Sequence, residues 1–269
     1  MNFVRFCSPL VALALLVAGV PLAACSDPAG ANVGSDAPLG DASANPVDGG
    51  GPEDAGPPSW TVVDGGYAGP DGSTLPATAF ATGVASVVPG SCGGFASDQL
   101  PGIVVGPPVG GGGNQGGLDV YSLGNGGSIV LTFGDVAGNH AIVDGPGDDF
   151  VVFENAFFIG GNPGAVYAEP GEVAVSEDGV VWKSLACDGK RPYTNCAGIK
   201  PVFAGPTATV SPLDPAAAGG DRFDLAAFGL PRARFVKITD RTTQPCTPGE
   251  NQATTNGFDL DGVAVLHHD

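Results

Sequence analysis

Acidic side chains gather at several predicted turns of this chain, and their types and spacing point to metal-ion chemistry. Calcium takes about six to eight oxygen ligands, and carboxylates at turns, beside exposed backbone carbonyls, can supply them. The pattern predicts a structural calcium ion held by members of this set. The alternative is that short acidic side chains build Asx turns in a glycine-rich β protein. The candidate ligands are Asp144, Asp148, Asp149, Glu154, Asp221, Asp224, Asp259 and Asp261.

Glu154 and a neighbouring aspartate raise a second possibility, the carboxyl pair of a polysaccharide-processing hydrolase. Such enzymes place two carboxyl groups about 5 to 9.5 Å apart across a cleft. The sequence contains no serine nucleophile elbow, HExxH motif, Walker loop or Cys/His constellation. We therefore predict no catalytic residue and favour a binding module over an enzyme.

Two loops carry the side chains best suited to contact a ligand. The first begins with Phe157 and Phe158 and leads through a Gly/Asn/Pro-rich stretch to Tyr167. The second is a polar loop with Lys190, Arg191 and Tyr193. Aromatic faces suit apolar ligand surfaces, and a constrained basic tip suits an anionic sugar or a partner. The alternative is packing for the aromatic residues and simple solvation of the loop for the basic ones.

The overall charge restricts the class of ligand. The chain has 269 residues, of which 28 are acidic and 10 are basic, for a formal net charge of −18. An acidic field of this size repels nucleic acid and bare anionic lipid. Cations and neutral ligands remain as partners.

The N-terminus has the pattern of a lipoprotein export signal. Residues 1–24 combine Arg5, an apolar run and small residues before Cys25, and the ending Leu-Ala-Ala-Cys resembles the bacterial lipobox. The resemblance implies cleavage before Cys25, lipid on its sulfur and, with Ser26 next, delivery to the outer membrane of the bacterial cell envelope. The membrane is then contacted through the lipid anchor only. A plain signal peptide and a transmembrane helix are the alternatives, although the run is short for a span of about 20 residues.

The segment that follows predicts a tether. Residues 25–58 consist mainly of Ala, Gly, Pro, Asp and Ser, with no aromatic residue. Such a composition buries too little apolar surface to offset the entropy of ordering, so we expect a disordered linker.

Cysteines outside the signal predict disulfides, because an exported protein folds in an oxidising compartment. Four cysteines permit three pairings. Cys187 and Cys196 bracket a short polar loop, which favours their pairing and leaves Cys92 with Cys246. Metal ligation is the competing interpretation, but the spacing typical of zinc sites is not present.

The elements that must position these residues are short β-strands. Glycine (45 residues) and proline (25 residues) separate runs that alternate in polarity or are rich in β-branched and aromatic residues. Many short strands at this spacing predict an all-β fold, an antiparallel β-sandwich of jelly-roll type. We expect an N-terminal β extension at 59–117, ending in a glycine-rich connection, and the sandwich at 118–269. The predicted strands are Ser128–Phe133, Phe150–Phe153, Glu172–Ser176, Val180–Leu185, Arg234–Thr239 and Gly262–Leu266, with weaker candidates at Ala79–Val88 and Ile103–Val105.

Several motifs of the sandwich occur in the order of a known family. Residues 173–182, VAVSEDGVVW, are similar to a "vSxDGxxW" hairpin, and residues 232–238, RARFVKI, to an "aRYvRI" strand. Together with 120–133 and 262–266, they resemble a discoidin, or coagulation-factor type C, module of the galactose-binding-like superfamily. Residues 144–155 also look like a "GPGxDFxVFEN" signature of bacterial surface proteins. The resemblance implies a sandwich with loops that bind carbohydrate and a structural calcium ion.

Taken together, these patterns predict a lipid-anchored cell-envelope protein with a non-catalytic binding or adhesion sandwich. The expected ligand is carbohydrate or another surface polymer, with calcium ordering the loops that bind it. A hydrolase and a structural envelope protein with protein partners only are the alternatives.

Overall fold

The structure, a computed structural model, describes residues 59–243, 245 and 255–269. Several predictions fall outside these residues: the signal peptide at 1–24, the lipidated Cys25, the linker at 25–58 and Cys246. The regular elements of the described part are mostly short strands joined by turns, with one short helix, α1, at Leu225–Phe228. The strands are β1 Thr61–Val63, β2 Gly66–Ala68, β3 Thr74–Pro76, β4 Gly83–Val88, β5 Tyr121–Ser122, β6 Ser128–Thr132, β7 Ile142–Val143, β8 Phe150–Glu154, β9 Phe157–Phe158, β10 Val166–Tyr167, β11 Gly171–Ser176, β12 Lys183–Ser184, β13 Cys196–Ala197, β14 Asp221–Phe223, β15 Arg232–Ala233, β16 Phe235–Asp240 and β17 Asp259–Val265.

Two antiparallel sheets form an all-β sandwich, as the sequence predicts. The larger has the strand order β12-β11-β16-β6-β4, with β13 also pairing with β11. The smaller has the order β14-β8-β17-β5. Small accessory sheets join β1 with β2 and β3, β9 with β10, and β7 with β15. The central strands of both sheets therefore come from distant parts of the chain.

The main core lies between the two sheets. In β6 and β16 the buried residues alternate with partly exposed ones, so that Ile129 and Ile238 face inward. Period-two alternation of this kind belongs to a sheet with one face toward the core. Phe150 of β8 joins the same cluster, where its ring stacks 5.3 Å from that of Phe223.

The smaller sheet is buried on both faces. Every residue of β8 and of β17 is buried, which explains why these strands lack polar alternation. Phe150 and Val152 face the main core, whereas Val151 and Phe153 belong to a second cluster together with Phe80. The N-terminal segment and residues 202–218 together supply this second layer.

The structure corrects the extent of two predicted strands. In place of Val180–Leu185 only Lys183–Ser184 is a strand, because the Asp178 carboxylate accepts hydrogen bonds from the backbone N–H groups of Val180 and Val181 and holds a turn. The weaker candidate at Ile103–Val105 is wrong: a 3-10 turn occupies Gly102–Val104. Further 3-10 turns lie at Ala77–Ala79, Ser97–Gln99 and Ile159–Gly161.

The segment at 59–117 contributes directly to the sandwich. Strand β4 forms the edge of the larger sheet and pairs with β6, from Gly83 opposite Thr132 to Val88 opposite Ser128. The glycine-rich connection packs against the smaller sheet, since Gly110 donates its N–H to Asp261 Oδ2 at 2.8 Å. This segment therefore lies beside the region where the candidate site forms.

The Cys187–Cys196 disulfide is present, as predicted, and closes a loop between residues nine positions apart. Cys92 is also disulfide-bonded. Because Cys246 lies outside the described residues, its pairing with Cys92 stays a prediction.

Removing the Cys187–Cys196 bond is expected to lower the free energy of unfolding by about 2–3 kcal/mol, the chain-entropy value for a loop of this length. The measurement is urea unfolding of the double variant Cys187→Ser, Cys196→Ser against the unaltered protein. A loss near zero would show that other contacts, such as the hydrogen bond from Arg191 to the Val166 carbonyl, already hold the loop.

Within the described ranges, no helix has both the length and the apolar character needed to cross a membrane.

Candidate metal centre

Three acidic residues meet at one end of the smaller sheet and form the acidic cluster: Glu154, Glu169 and Asp259. Glu154 ends β8, and Asp259 begins the neighbouring strand β17, where Leu260 is the register partner of Glu154. Glu169 comes from the segment that leads into β11. One carboxylate oxygen of each lies within 4.8 Å of one oxygen of each of the others. The cluster can hold a metal ion.

The acidic cluster is buried and short of hydrogen-bond donors. Glu154 is 1% exposed, Glu169 is 3% exposed and Asp259 is 6% exposed. Among the described residues, neither Oε1 nor Oε2 of Glu154 has a hydrogen-bond partner, and Oδ1 of Asp259 and the hydroxyl of Ser122 also lack one. A buried polar group without a partner costs about 1–3 kcal/mol, and a charged one costs more. A bound cation would remove this cost.

Burial raises the pKa of each carboxyl in the acidic cluster. For Glu154, burial and then repulsion by Asp259 and Glu169 raise the pKa well above its ordinary value. The backbone N–H groups of Asp259 and Ala156 oppose this rise without reaching hydrogen-bond geometry. Burial, reinforced by Asp259, raises the pKa of Glu169 to about 8. Burial raises that of Asp259 to about 6, against the Asn155 amide and the nearby Ser122 hydroxyl, which does not reach hydrogen-bond geometry.

These shifts predict that the cation-free protein loses stability as pH rises from about 4 to about 8. Since the pKa values of Asp259 and Glu169 are higher in the folded than in the unfolded state, the folded protein holds more protons in this window. The contribution of these two carboxyl groups to stability is fully present below their unfolded pKa values and is lost as the pH rises through their folded pKa values. Calcium binding requires the ionised cluster, so its stabilising effect should grow over the same window.

The measurement is thermal unfolding from pH 5 to pH 8, in EDTA and in calcium. A stability that rises with pH in EDTA would contradict the prediction.

A second acidic group is already supplied with protein donors. Asp144, Asp149 and Asp224 also have carboxylate oxygens within 4.8 Å of one another. However, Asp149 accepts N–H bonds from Gly145 at 2.8 Å and Leu225 at 2.7 Å. The Nδ1 of His267 lies 2.9 Å from Asp149 Oδ1. This carboxylate therefore holds the ends of three segments together.

The neighbours of Asp149 also serve the fold. Asp224 caps α1 by accepting the N–H of Ala226 at 2.7 Å. Asp148 lies 3.3 Å from a guanidinium nitrogen of Arg222 in a partly exposed ion pair. Asp144 is exposed at the surface.

Asp221 and Asp261 lie apart from both groups as buried backbone anchors. Asp221 accepts the N–H of Ile199 at 2.8 Å and has Lys200 Nζ at 3.5 Å; burial raises its pKa to about 6. Asp261 accepts the N–H groups of Val109 and Gly110, and burial raises its pKa to about 7. Of the predicted ligands, the structure thus brings Glu154 and Asp259 together in the acidic cluster, and Asp144, Asp149 and Asp224 together in the second group.

Sequence reasoning missed Glu169. This residue stands two positions after Tyr167 and just before Pro170 and β11, outside any acidic turn motif. Its proximity to the predicted aromatic contact residue Tyr167 is the signal that points to it. Its Oε1 accepts the N–H of Gly257 at 3.1 Å, which ties it to the segment that leads into β17.

A cleft of about 390 Å³ opens onto the acidic cluster. This volume lies in the range of roughly 300–1,000 Å³ typical of small-molecule sites. Glu169 and Asp259 lie in its lining, and Glu154 does not. The lining residues of the cleft are Phe95, Gly116, Gly117, Leu118, Val120, Ser122, Asn155, Phe157, Tyr167, Glu169, Thr255 and Asp259.

Two predicted ligand-contact residues form one wall of the cleft. The rings of Phe157 and Tyr167 stack with centroids 5.1 Å apart and planes 18° from parallel. They come from paired strands, since Phe157 of β9 is opposite Tyr167 of β10. Beside them, Asn155 donates its Nδ2 to Asp259 Oδ2 at 3.0 Å and to the Gly117 carbonyl at 3.2 Å. Aromatic wall, amide and carboxylates are thus part of one site.

The other predicted contact residues do not line the cleft. Phe158 lies on the opposite side of β9, where its ring is 6.4 Å from that of Phe203. Lys190 is exposed, and Arg191 lies over the ring of Tyr193 at 5.1 Å. Arg191 also donates to the carbonyl of Val166, the neighbour of Tyr167. The disulfide loop therefore contacts the strand that carries the aromatic wall.

A larger depression of about 660 Å³ lies elsewhere and is more apolar. Its acidic residue, Asp135, accepts hydrogen bonds from both the backbone and the side chain of Asn139. Its lining includes the basic residues His140 and Arg234, whereas the cleft combines aromatic rings with the carboxylates of Glu169 and Asp259.

Neither a protein-family model nor a curated protein matches the sequence of this chain. The function must therefore be argued from the chemistry of the site itself.

Proposed function

We propose that this protein is a cell-envelope lipoprotein whose β-sandwich binds carbohydrate or another surface polymer with the support of a calcium ion. The observation that carries the proposal is the arrangement of the acidic cluster. Glu169 and Asp259 line a cleft that has stacked aromatic rings in its wall, and Glu154, whose two oxygens have no partner among the described residues, lies within reach of both outside that lining. Buried unpartnered carboxylates are costly to the fold, and a ligand function supplies a reason to keep them.

Calcium is the cation that the donor set supports best. The acidic cluster offers carboxylate oxygens, with a hydroxyl oxygen from Ser122 alongside. Hard oxygen donors suit calcium and magnesium, whereas zinc and copper sites commonly contain His or Cys. Magnesium demands a small octahedral shell and retains several waters, while calcium accepts irregular shells built from protein oxygens. The buried, irregular arrangement of carboxylates favours calcium.

Carbohydrate fits the cleft better than a purely apolar ligand. The stacked rings of Phe157 and Tyr167 offer apolar faces, while Asn155 and the acidic cluster offer polar groups. Small-molecule sites commonly combine aromatic walls with a few placed polar groups. A sugar ring presents an apolar C–H face and a polar hydroxyl edge, and both find a counterpart here. The resemblance of the sequence motifs to discoidin modules supports the same class of ligand.

Envelope attachment is part of the proposal and rests on residues 1–58. Lipid on Cys25, outer-membrane delivery and a tether at 25–58 would place the sandwich at a distance from the membrane. Radiolabelled palmitate should enter the protein produced in a bacterial host and should not enter the Cys25→Ser variant. Labelling of that variant would remove the anchor from the proposal.

The binding function is tested with a panel of immobilised polysaccharides, in calcium and in excess EDTA. We expect binding in calcium that EDTA abolishes and that Phe157→Ala weakens. Phe203→Ala is the matched control, because Phe203 is an exposed aromatic residue outside the cleft. Polysaccharide binding of equal strength in calcium and in EDTA, and unchanged by Phe157→Ala, would contradict the proposal. Pull-down of proteins without glycan binding would favour the structural alternative.

A hydrolase is the second candidate function, and a specific observation favours it. Glu169 and Asp259 both line the cleft, and the raised pKa of Glu169 is a property of a general acid. Glu154, the residue favoured by sequence for this role, is buried beneath the cleft and cannot touch a substrate. Turnover of a polysaccharide in excess EDTA that Glu169→Gln abolishes, while the fold persists, would establish the enzyme in place of the binding module.

A further inference from the structure

The acidic cluster has one closed side and one open side. Glu154 is 1% exposed and does not line the cleft, whereas Glu169 and Asp259 lie in its lining. An ion held by all three carboxylates would therefore have protein beneath it and the cleft in front of it. Both oxygens of Glu154 are buried and have no partner among the described residues. The closed side therefore offers two oxygens that a cation can bind.

The protein oxygens do not complete a calcium shell. The acidic cluster supplies Glu154 Oε1 and Oε2, Asp259 Oδ1 and the second oxygen of Glu169, whose Oε1 accepts the N–H of Gly257. The Ser122 hydroxyl can be added. Calcium takes about six to eight oxygens, which is more than these atoms supply. The remaining positions face the cleft, where water or a ligand can fill them.

The net negative charge around the cation favours a neutral ligand at the open positions of its shell. The carboxylates of the acidic cluster outnumber the charge of a divalent ion, and Asp240 adds a repulsive field at Glu169 and Asp259. Within the described part of the chain, no lysine or arginine lines the cleft. An anionic ligand would therefore meet a site that stays negative after the cation has bound.

The aromatic wall defines the rest of the ligand. Phe157 and Tyr167 line the same cleft as Glu169 and Asp259, so a single small ligand can reach both. Such a ligand needs adjacent oxygen donors on one edge and an apolar face on another. A neutral sugar ring with two neighbouring hydroxyl groups has this chemistry.

We propose that a neutral sugar binds the cleft by coordinating the cation directly through a pair of vicinal hydroxyl groups while its ring packs against Phe157 and Tyr167. This inference rests on the proposed function and deepens it: the cation is part of the recognition surface, rather than only a support for loops. The ligand replaces cation-bound water, and no covalent bond is made or broken.

The test uses the full chain loaded with Tb³⁺ in place of calcium, and luminescence lifetimes in H₂O and D₂O count the waters on the ion. The probes are the methyl glycosides of galactose, mannose and xylose, each with vicinal hydroxyl groups, and methyl galacturonoside as the anionic counterpart. We expect at least one neutral glycoside to reduce the count by about two waters, within the open part of a shell of about six to eight positions. In the calcium-loaded protein, where three carboxylates outnumber the charge of the ion, the galacturonoside should bind more weakly than the neutral galactoside.

Two variants separate the parts of the site. Phe157→Ala should weaken binding of the glycoside by about tenfold or more, as is typical of a buried aromatic anchor, and should leave Tb³⁺ affinity and the water count of the sugar-free site unchanged. Phe203→Ala, outside the cleft, should change neither binding constant.

The outcomes distinguish this inference from the proposed function. Glycoside binding with an unchanged water count would overturn direct coordination and leave a calcium-supported module. Tb³⁺ binding without affinity for any neutral glycoside would also overturn it. Failure of Tb³⁺ and of calcium to bind at all would overturn the proposed cation site itself.

Discussion

Glu154→Gln is expected to stabilise the cation-free protein at pH 8 and to abolish its response to calcium. The substitution keeps the shape of the side chain and removes a buried carboxyl that has no hydrogen-bond partner among the described residues and is repelled by Asp259 and Glu169. The expected gain is about 1–3 kcal/mol, because the amide carries no charge to be repelled and its NH₂ group can donate to the neighbouring carboxylates, so that a buried group is no longer unsatisfied. Functional sites commonly carry such a cost, and stability then rises when the functional group is removed.

Calcium is expected to stabilise the unaltered protein and not the Glu154→Gln variant. At free calcium equal to 100 times the dissociation constant, the unaltered protein should gain about 2.7 kcal/mol. Glu154→Gln should gain nothing, because the closed side of the site has lost a negative charge and one of its two carboxylate oxygens. Circular dichroism during thermal unfolding, in EDTA and in calcium, measures both effects.

Glu177→Gln is the matched control for this substitution. Glu177 is exposed, so the same change of side chain should alter neither the stability in EDTA nor the calcium response. A full calcium response in Glu154→Gln would remove Glu154 from the cation site. A loss of stability in EDTA would show that the carboxylate is satisfied in the folded protein.

Asp149→Ala is expected to lower the free energy of unfolding by about 3–5 kcal/mol, the range for breaking a buried charged network. Asp149 is 0% exposed, and its carboxylate accepts the N–H groups of Gly145 and Leu225 and faces His267 Nδ1. Alanine leaves these donors without a partner inside the protein. Urea unfolding in EDTA measures the loss.

Asp148→Ala supplies the comparison at the adjacent position. The Asp148 ion pair with Arg222 is partly exposed, and pairs of this kind contribute about 0–1 kcal/mol. Similar small losses for both variants would contradict the structural role of Asp149. A loss for Asp149→Ala that appears only in calcium would instead make this residue a metal ligand.

The sequence predicts the strands where local pattern decides them. In β6 and β16 apolar residues recur at every second position, at Ile129 and Leu131 and at Val236 and Ile238, and these face the core. The interpretation fails at Val180 and Val181, where apolar residues indicate a strand but the Asp178 side chain captures their N–H groups in a turn. Hydrogen bonds accepted by a single side chain override the strand propensity of the valines there.

The candidate site is predictable only in part, because its members meet through long-range pairing. Glu154 and Asp259 stand out in sequence as acids at strand ends, but the pairing of β8 with β17 places them side by side. Glu169 belongs to no acidic motif, and the path of the chain into β11 alone brings it to them. The same limit applies to Asp149, which local pattern cannot distinguish from a metal ligand.

Calorimetric titration of calcium into the chelator-treated full chain measures the cation site most directly. We predict a single saturable binding event with an affinity that increases from pH 6 to pH 8, as Glu169 loses its proton. Binding should disappear in Glu154→Gln and persist in Glu177→Gln. Absence of calcium binding at pH 8, or binding unchanged in Glu154→Gln, would contradict a cation site in the acidic cluster.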